Sequence, residues 1–241
     1  MQTALPVALS AQLALEKRLD TIAHNVANAR TAGFRAEEVK FEALISRAGS
    51  DPVAFASEGT TYLSTRAGEM TQTGNTLDMA VSGDAFFAIQ GPNGPVYTRD
   101  GRMRINAEGA VETINGYPIL DVGGATLQVD PNAGPIAIAR DGMITQNGAQ
   151  IGAVGLFAMP PGANLTRFEN SGVIPDRAAV PILDFGDVGV MQGFVEGSNV
   201  NPVLEISRLI ALQRAFESAS NLVQTSERTL DDAVKNLGNM S

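Results

Sequence analysis

From Leu209 onward, apolar residues recur every seven positions: Leu209, Phe216, Val223, Leu230 and Leu237. Leu212, Ala219, Ser226 and Ala233 fall three residues after the first four of these. An a/d seam sustained over this span predicts a long helix buried along one edge against other helices. No Gly or Pro interrupts it between Val203 and Leu237. Ser198 and Asn199 offer capping oxygens upstream, Pro202 suits a first helical turn, and Gly238 stands where a glycine would stop the helix. At 1.5 Å per residue such a helix is ~50 Å long.

The other end of the chain also reads as a helix, over residues 1–28. Leu15, Leu19, Ile22 and Val26 step by four, three and four, and the preceding turns are apolar almost all round. A helix apolar on several sides needs several neighbours. Thr31-Ala32-Gly33 ends it, with Gly33 as a left-handed stop and Phe34 as the apolar contact that follows. Residues 36–66 are less regular and read as a connector, broken at Gly49-Ser50-Asp51-Pro52.

From about Ala67 the period changes to two. Turn pairs recur at Asn93-Gly94, Asp100-Gly101, Glu108-Gly109, Asn115-Gly116, Gly123-Gly124, Asp141-Gly142 and Asn147-Gly148. Between them lie short strand candidates, among them Val96–Thr98, Arg102–Asn106, Ala110–Ile114, Tyr117–Val122, Ile136–Ala139, Met143–Gln146 and Ile151–Met159. This spacing predicts antiparallel hairpins in an all-β body. The expected class is α+β: terminal helices forming a coiled-coil domain (1–35 and 198–241), a connector (36–66) and a central antiparallel β domain (67–197).

Charge sharpens this division. The net charge is −9, which argues against nucleic acid as a partner. Residues 1–35 carry a net +2 and residues 200–241 a net −1, so the middle holds −10. Nearly neutral ends can pack against copies of themselves without accumulating repulsion. No apolar run has the length of a transmembrane helix. The first residues lack the basic and continuous apolar regions of a signal peptide, so a secreted chain is expected to leave without cleavage of one.

Candidate chemistry changes little. There is no cysteine, which excludes disulfides, thiolate metal sites and Cys nucleophiles. His24 is the only histidine, and no metal-ligand or catalytic spacing surrounds it. Asp100-Gly101 and Asp141-Gly142 read as turn residues, not as a carboxylate pair. No phosphate loop, dinucleotide fingerprint or nucleophile elbow is present. No cofactor, metal or catalytic site is expected. A ~50 Å helix cannot bury its length on a β body of ~130 residues, whose radius of gyration is near 14 Å. Apolar surface left over after the two ends pair marks an assembly interface. The expected contact residues are Leu15, Leu19, Ile22, Val26, Leu209, Leu212, Phe216, Val223, Leu230 and Leu237. The alternative of a different class is a secreted β-domain enzyme or binding module dimerised by its helices.

Five motifs, in order over nearly the whole chain, resemble those of bacterial flagellar rod and hook proteins. The first is His24-Asn25-Val26-Ala27-Asn28-Ala29-Arg30-Thr31-Ala32-Gly33-Phe34-Arg35. The second is Gly74-Asn75-Thr76-Leu77-Asp78-Met79-Ala80-Val81, followed by Phe86-Phe87. Tyr97-Thr98-Arg99-Asp100-Gly101 is the third, and Gln192-Gly193-Phe194-Val195-Glu196-Gly197-Ser198-Asn199-Val200-Asn201 the fourth. Gln213-Arg214-Ala215-Phe216-Glu217 is the last. His24 replaces a common Asn, and Ser226-Glu227-Arg228 departs from an acidic pair in many relatives. The short length and first helix look most like a proximal-rod member; a distal-rod or hook-junction paralogue is the alternative within the family. The resemblance implies a structural subunit of the rod, exported by the flagellar type III apparatus. It further implies assembly with copies of itself and with other rod subunits into a helical shaft across the periplasm.

Overall fold

The computed structural model describes residues 4–46, 53–57 and 59–238; the side chains of 4, 5, 53, 226, 227, 230–234 and 236–238 are not among those described. The chain is α+β, with a helix near each end and antiparallel strands in several sheets between them. It divides into two compact units. One comprises Met1–Ala27, Glu37–Leu63 and Asn201–Ser241; the other comprises Asn28–Ala36 and Ser64–Val200.

The first unit holds helices α1 (Ala4–Ala27) and α2 (Pro202–Gly238), which pack against each other. It also holds four strands: β1 (Glu37–Lys40), β2 (Ala43–Ser46), β3 (Val53–Ala56) and β4 (Thr60–Leu63). The stretch expected as a connector is therefore two successive antiparallel ladders. β1 pairs with β4 from Glu37↔Leu63 to Lys40↔Thr60, and β2 pairs with β3 from Ala43↔Ala56 to Ser46↔Val53. These ladders cluster with the helices. Ser10 Oγ on α1 accepts the Ala56 N–H at 3.3 Å, and the Tyr62 hydroxyl donates to Glu38 across the β1–β4 pair at 2.7 Å.

The second unit is β throughout. Its strands are β5 (Met70–Gln72), β6 (Met79–Ser82), β7 (Phe86–Gly91), β8 (Gly94–Thr98), β9 (Met103–Ile105), β10 (Val111–Thr113), β11 (Ile136–Ile138) and β12 (Met143–Gln146). They continue with β13 (Ala149–Ala153), β14 (Leu156–Ala158), β15 (Leu165–Phe168), β16 (Gly172–Pro175), β17 (Val180–Pro181), β18 (Gly189–Gln192) and β19 (Phe194–Glu196). A six-stranded antiparallel sheet runs in the order β15-β16-β8-β7-β14-β17. Its central β7 carries Phe86, Phe87, Ala88 and Ile89 in succession, all buried, as a strand covered on both faces requires. Its edge strand β17 ends in Pro181, which cannot donate to another strand. β18 and β19, late in the chain, pair back onto β6 and β5. The core gathers Met79, Val81, Phe87, Ile119, Ile144 and Leu156, all essentially inaccessible.

Two strand expectations change. Ile151–Met159 is not one strand. At Val154-Gly155 the chain changes partners: Val154 N–H donates to Gly142 O and Gly155 N–H to Leu120 O, so β13 stops and β14 begins in another sheet. Tyr117–Val122 forms isolated bridges and no ladder, because its residues turn to different neighbours. Ile119 N–H donates to Val111 O, while Leu120 N–H donates to Ala88 O. The Asn147-Gly148 pair does form the two-residue turn between β12 and β13, with Asn147 at φ +51°.

Candidate assembly interface

The heptad pattern of α2 matches its burial. Leu209, Leu212, Phe216, Ala219 and Val223 are half-buried, and the residues between them are exposed except for half-buried Ser220. On α1, Ile22 is buried, and Leu15, Leu19 and Val26 are half-buried. Leu230 and Leu237 fall on side chains outside the described set. Asn201 caps α2: its Oδ1 accepts the Leu204 N–H at 3.1 Å, with Pro202 at the first helical position. The caps expected from sequence lie elsewhere. Ser198 Oγ accepts Val200 N–H at 3.2 Å, and Asn199 is committed to the β unit.

Packing of α1 on α2 leaves a second set of apolar residues outside. Leu9 is 51% exposed and Leu13 58%, while Val203 is 74% exposed and Ile206 and Ile210 nearly half. Burying one such side chain fully is worth about 1.5–3 kcal/mol. Charged or polar residues are the ordinary occupants of a solvated helix surface, and these exposed apolar side chains depart from that pattern.

The remaining motif residues are mostly structural. In the β unit, Arg99 and Glu196 form a buried ion pair, Nε to Oε2 at 2.6 Å, and Arg35 Nη2 lies 3.2 Å from Glu196 Oε1. Gly68 N–H donates to the same Oε1 at 2.9 Å. Arg99 donates its other N–H groups to the carbonyls of Gly83, Ala85 and Val81. Arg35 Nη1 donates to the carbonyls of Thr65 and Arg66. Its Nε is buried without a hydrogen-bond partner among the described residues. Burial holds the Arg35 guanidinium below its ordinary pKa, while the Glu196 carboxylate works in the opposite direction. One carboxylate thus neutralises only one of two buried cations, and backbone carbonyls solvate the rest.

Around this cluster the first, third and fourth motifs interlock. Gly33 N–H donates to Glu196 O at 2.8 Å, and Gly33 adopts φ +67°. It is left-handed as expected, but it lies beyond α1, which ends at Ala27. A Cβ on Gly33 would stand 2.2 Å from Asp100 N. Phe34 is fully buried, with the Arg167 guanidinium over its ring at 4.4 Å. Asn199 Oδ1 accepts Ala36 N–H and its Nδ2 donates to Arg66 O, both at 2.7 Å. Tyr97 is buried edge-on against Phe157 at 5.4 Å, and burial pushes its hydroxyl pKa up.

The Asp100-Gly101 pair is not a solvent-facing turn. Asp100 is buried, and its carboxylate takes Arg102 Nε at 2.8 Å and Nη2 at 2.6 Å. That hydrogen bonding raises the Arg102 pKa. Gly101 O accepts Met79 N–H at 2.9 Å, and a Cβ on Gly101 would fall 1.7 Å from Met79 O. Close backbone approach, not turn geometry, requires glycine there. The second motif closes on the fourth in the same manner. Asp78 takes Thr73 Oγ1 at 2.7 Å and Asn75 Nδ2 at 3.1 Å, and Gly193 O accepts the N–H groups of Thr73 and Gly74.

In the helical unit, Asn25 exchanges both its amide atoms with the backbone of Glu37, each bond 2.8 Å, and so ties the end of α1 to β1. Asn28, in the β unit, accepts from Thr31 at 3.0 and 3.1 Å and shapes the turn after α1. Gln213 and Arg214 are exposed on α2, apart from these networks. His24 lies 3.7 Å from Glu37, and no metal-binding group of side chains occurs among the described residues. Arg35 and Glu196 are not among the site residues expected from the sequence. The available signal was a lone carboxylate in Phe194-Val195-Glu196-Gly197, a run otherwise without charge.

Comparison with known proteins follows this layout. Residues 5–35 match the family described as Flagella basal body rod protein. Residues 80–146 match the Flagellar hook protein FlgE/F/G D1 domain, and residues 191–236 the Flagellar basal body rod FlgEFG protein C-terminal. The chain is 53% identical over 241 residues to the flagellar basal-body rod protein FlgF of Mesorhizobium japonicum, covering all of both chains. The chain belongs to the flagellar basal-body rod protein family. FlgF of Rhizobium meliloti is 49% identical over 99% of each chain. The rod protein FlgG of Bacillus subtilis is 32% identical over 91% of this chain and 93% of that one. This rod subunit is thus FlgF-like, a structural component of the flagellar basal body and not an enzyme. It assembles with other rod components. No helix among its described residues is long and apolar enough to cross a membrane.

Proposed function

We propose that this subunit occupies the proximal rod and joins it through the terminal helices. The helices of successive copies and of neighbouring rod proteins pack as coiled coils into a helical shaft across the periplasm. The β unit, 67–197 by sequence, stands on the outer side of this core. The chain reaches the rod through the flagellar type III apparatus without cleavage of a signal peptide. The observation that carries this reading is the second apolar face. After α1 and α2 have packed together, Leu9, Leu13, Val203, Ile206 and Ile210 are still about half exposed or more. An interface that is not self-complementary propagates into a ring or a helical array, as a shaft requires. The motif cluster supports a division of labour, because its buried ion pairs serve the β unit and leave the helices free to assemble.

The test is basal-body isolation from a strain whose only copy of this chain carries Leu9→Asp with Ile210→Asp. Absence of the subunit from basal bodies, together with loss of motility, is expected. Normal incorporation of that variant would overturn assembly through the helices.

A further inference from the structure

One short segment, Gly189 to Asn199, closes the β unit. β5 and β6 lie early in this unit, yet among the described residues each has a single ladder partner, and both partners come from this segment: β19 for β5 and β18 for β6. Met79 and Val81 of β6 belong to the core, and Val190, opposite Val81, belongs to it as well. Val190 N–H donates to Arg140 O at 2.7 Å, and Gly193 N–H to Asp78 O at 2.8 Å. The Gln192 side chain donates to Thr76 O at 2.7 Å and to Ile136 O at 3.0 Å, and accepts Ile138 N–H at 3.1 Å. Glu196 supplies the carboxylate that pairs with buried Arg99. Without the segment the core loses Val190, Arg99 is buried without its counter-charge, and the N–H of buried Ile138 loses its acceptor. All of these partners stand far earlier in the chain.

We propose that Gly189–Asn199 is a closing strap: the part of the β unit that precedes it stays unfolded until the strap arrives, and docking of the strap is the step that folds the unit. Ordering β5, β6 and Arg99 beforehand costs conformational entropy and desolvation with no partner to offset them. The long loop from β5 to β19 must therefore close before the core is gained, which makes its closure part of the folding barrier. A chain that enters the rod N-terminus first then keeps its β unit open until Glu196 has left the channel, while α2 is still to follow. The β unit is set before the assembling helix is released. That consequence rests on the export reading above; the folding order does not.

The chain has no cysteine, so one introduced pair gives one disulfide. Gln72 and Phe194 stand directly opposite each other in the β5–β19 ladder. Opposed residues of antiparallel strands lie ~4.5–5.5 Å apart at Cα, a separation that a disulfide spans. The purified full-length chain carrying Gln72→Cys with Phe194→Cys is refolded from urea and unfolded again, once oxidised and once reduced, with the fluorescence of Tyr97 and Tyr117 reporting on the β unit. The oxidised chain is expected to refold at least ~10-fold faster than the reduced one, with unfolding changed less than ~2-fold, because the tether removes a closure that the transition state already contains. Equal refolding rates with slower unfolding would put strap docking after the folding step and overturn the proposal. Thr71→Cys with Val195→Cys, the next pair in the ladder, gives the same comparison if the first pair does not fold. In the unsubstituted chain, pulse-labelled hydrogen exchange during refolding should protect the Ile119 and Leu120 N–H groups no earlier than the Thr73 N–H that donates to Gly193 O. Protection of Ile119 and Leu120 at least ~10-fold ahead of Thr73 would overturn the proposal independently of any substitution. Both measurements use the purified chain, so neither outcome depends on how it is exported.

Discussion

Arg99 Nε donates to Glu196 Oε2 at 2.6 Å, across 97 positions of sequence and with both side chains 1% exposed. The bond joins the third motif to the fourth, and Arg35 brings in the first through the other carboxylate oxygen. A single acidic side chain therefore holds three distant segments of the β unit.

Removal of that carboxylate is expected to be costly. Glu196→Ala strands two buried guanidinium groups, and breaking a buried pair from one side typically costs about 3–5 kcal/mol. Urea unfolding followed by far-ultraviolet circular dichroism should show this loss. Arg35→Ala in the Glu196→Ala background should cost less than in the wild-type chain, since its partner is already gone. Equal costs in both backgrounds would mean that Arg35 does not act through Glu196.

Gly101→Ala should be far worse than its sequence context suggests. The added methyl collides with the Met79 carbonyl oxygen and opens the Met79 N–H to Gly101 O bond. Overpacking of this kind costs about 1–3 kcal/mol or more. Asp100→Asn weakens the bidentate contact to Arg102, but Arg102 is partly exposed, so a loss nearer ~1 kcal/mol is expected. Both values follow from denaturant midpoints at constant slope.

The cap on α2 gives a third expectation. Asn201→Ala removes the oxygen that accepts Leu204 N–H and should destabilise the start of the helix by about 1 kcal/mol. Ser198→Ala should leave that amide untouched. Hydrogen exchange at Leu204 separates the two: faster exchange is expected in the first variant only.

The outcomes show which physics is written locally. The helix α2 was legible because its apolar period is a local signal, and Leu209, Leu212, Phe216 and Val223 are half-buried while nearly all the residues between them are exposed. The strand at Met143–Gln146 was legible because an Asn-Gly turn and its flanking alternation are local signals. The ladders over Glu37–Leu63 were not, since their short strands lack a clean alternation and gain partners from α1. Nor was the end of β13 at Val154-Gly155, which is set by carbonyls of Gly142 and Leu120 elsewhere in the sheet system. Asp100 and Gly101 had the composition of a turn, and only the approach of Met79 reveals their role. The Arg35–Glu196–Arg99 cluster depends on chain closure over long separations, which no local window contains.

The central claim is that the helices, not the β unit, carry assembly. Phe216 and Val223 sit at successive positions of the seam and are only half-buried within one chain. Truncating a fully buried Phe costs about 3–5 kcal/mol, so much of that penalty should fall on the assembled rod. The decisive measurement is electron microscopy of basal bodies, with motility, from strains expressing Val223→Asp at normal level; Asn164→Ala, on the exposed surface of the β unit, is the comparison. The account predicts that Val223→Asp yields no complete rod while its isolated chain keeps wild-type hydrogen-exchange protection in Met79–Leu156, and that Asn164→Ala yields normal rods. A complete rod with Val223→Asp, or its loss with Asn164→Ala alone, would contradict it.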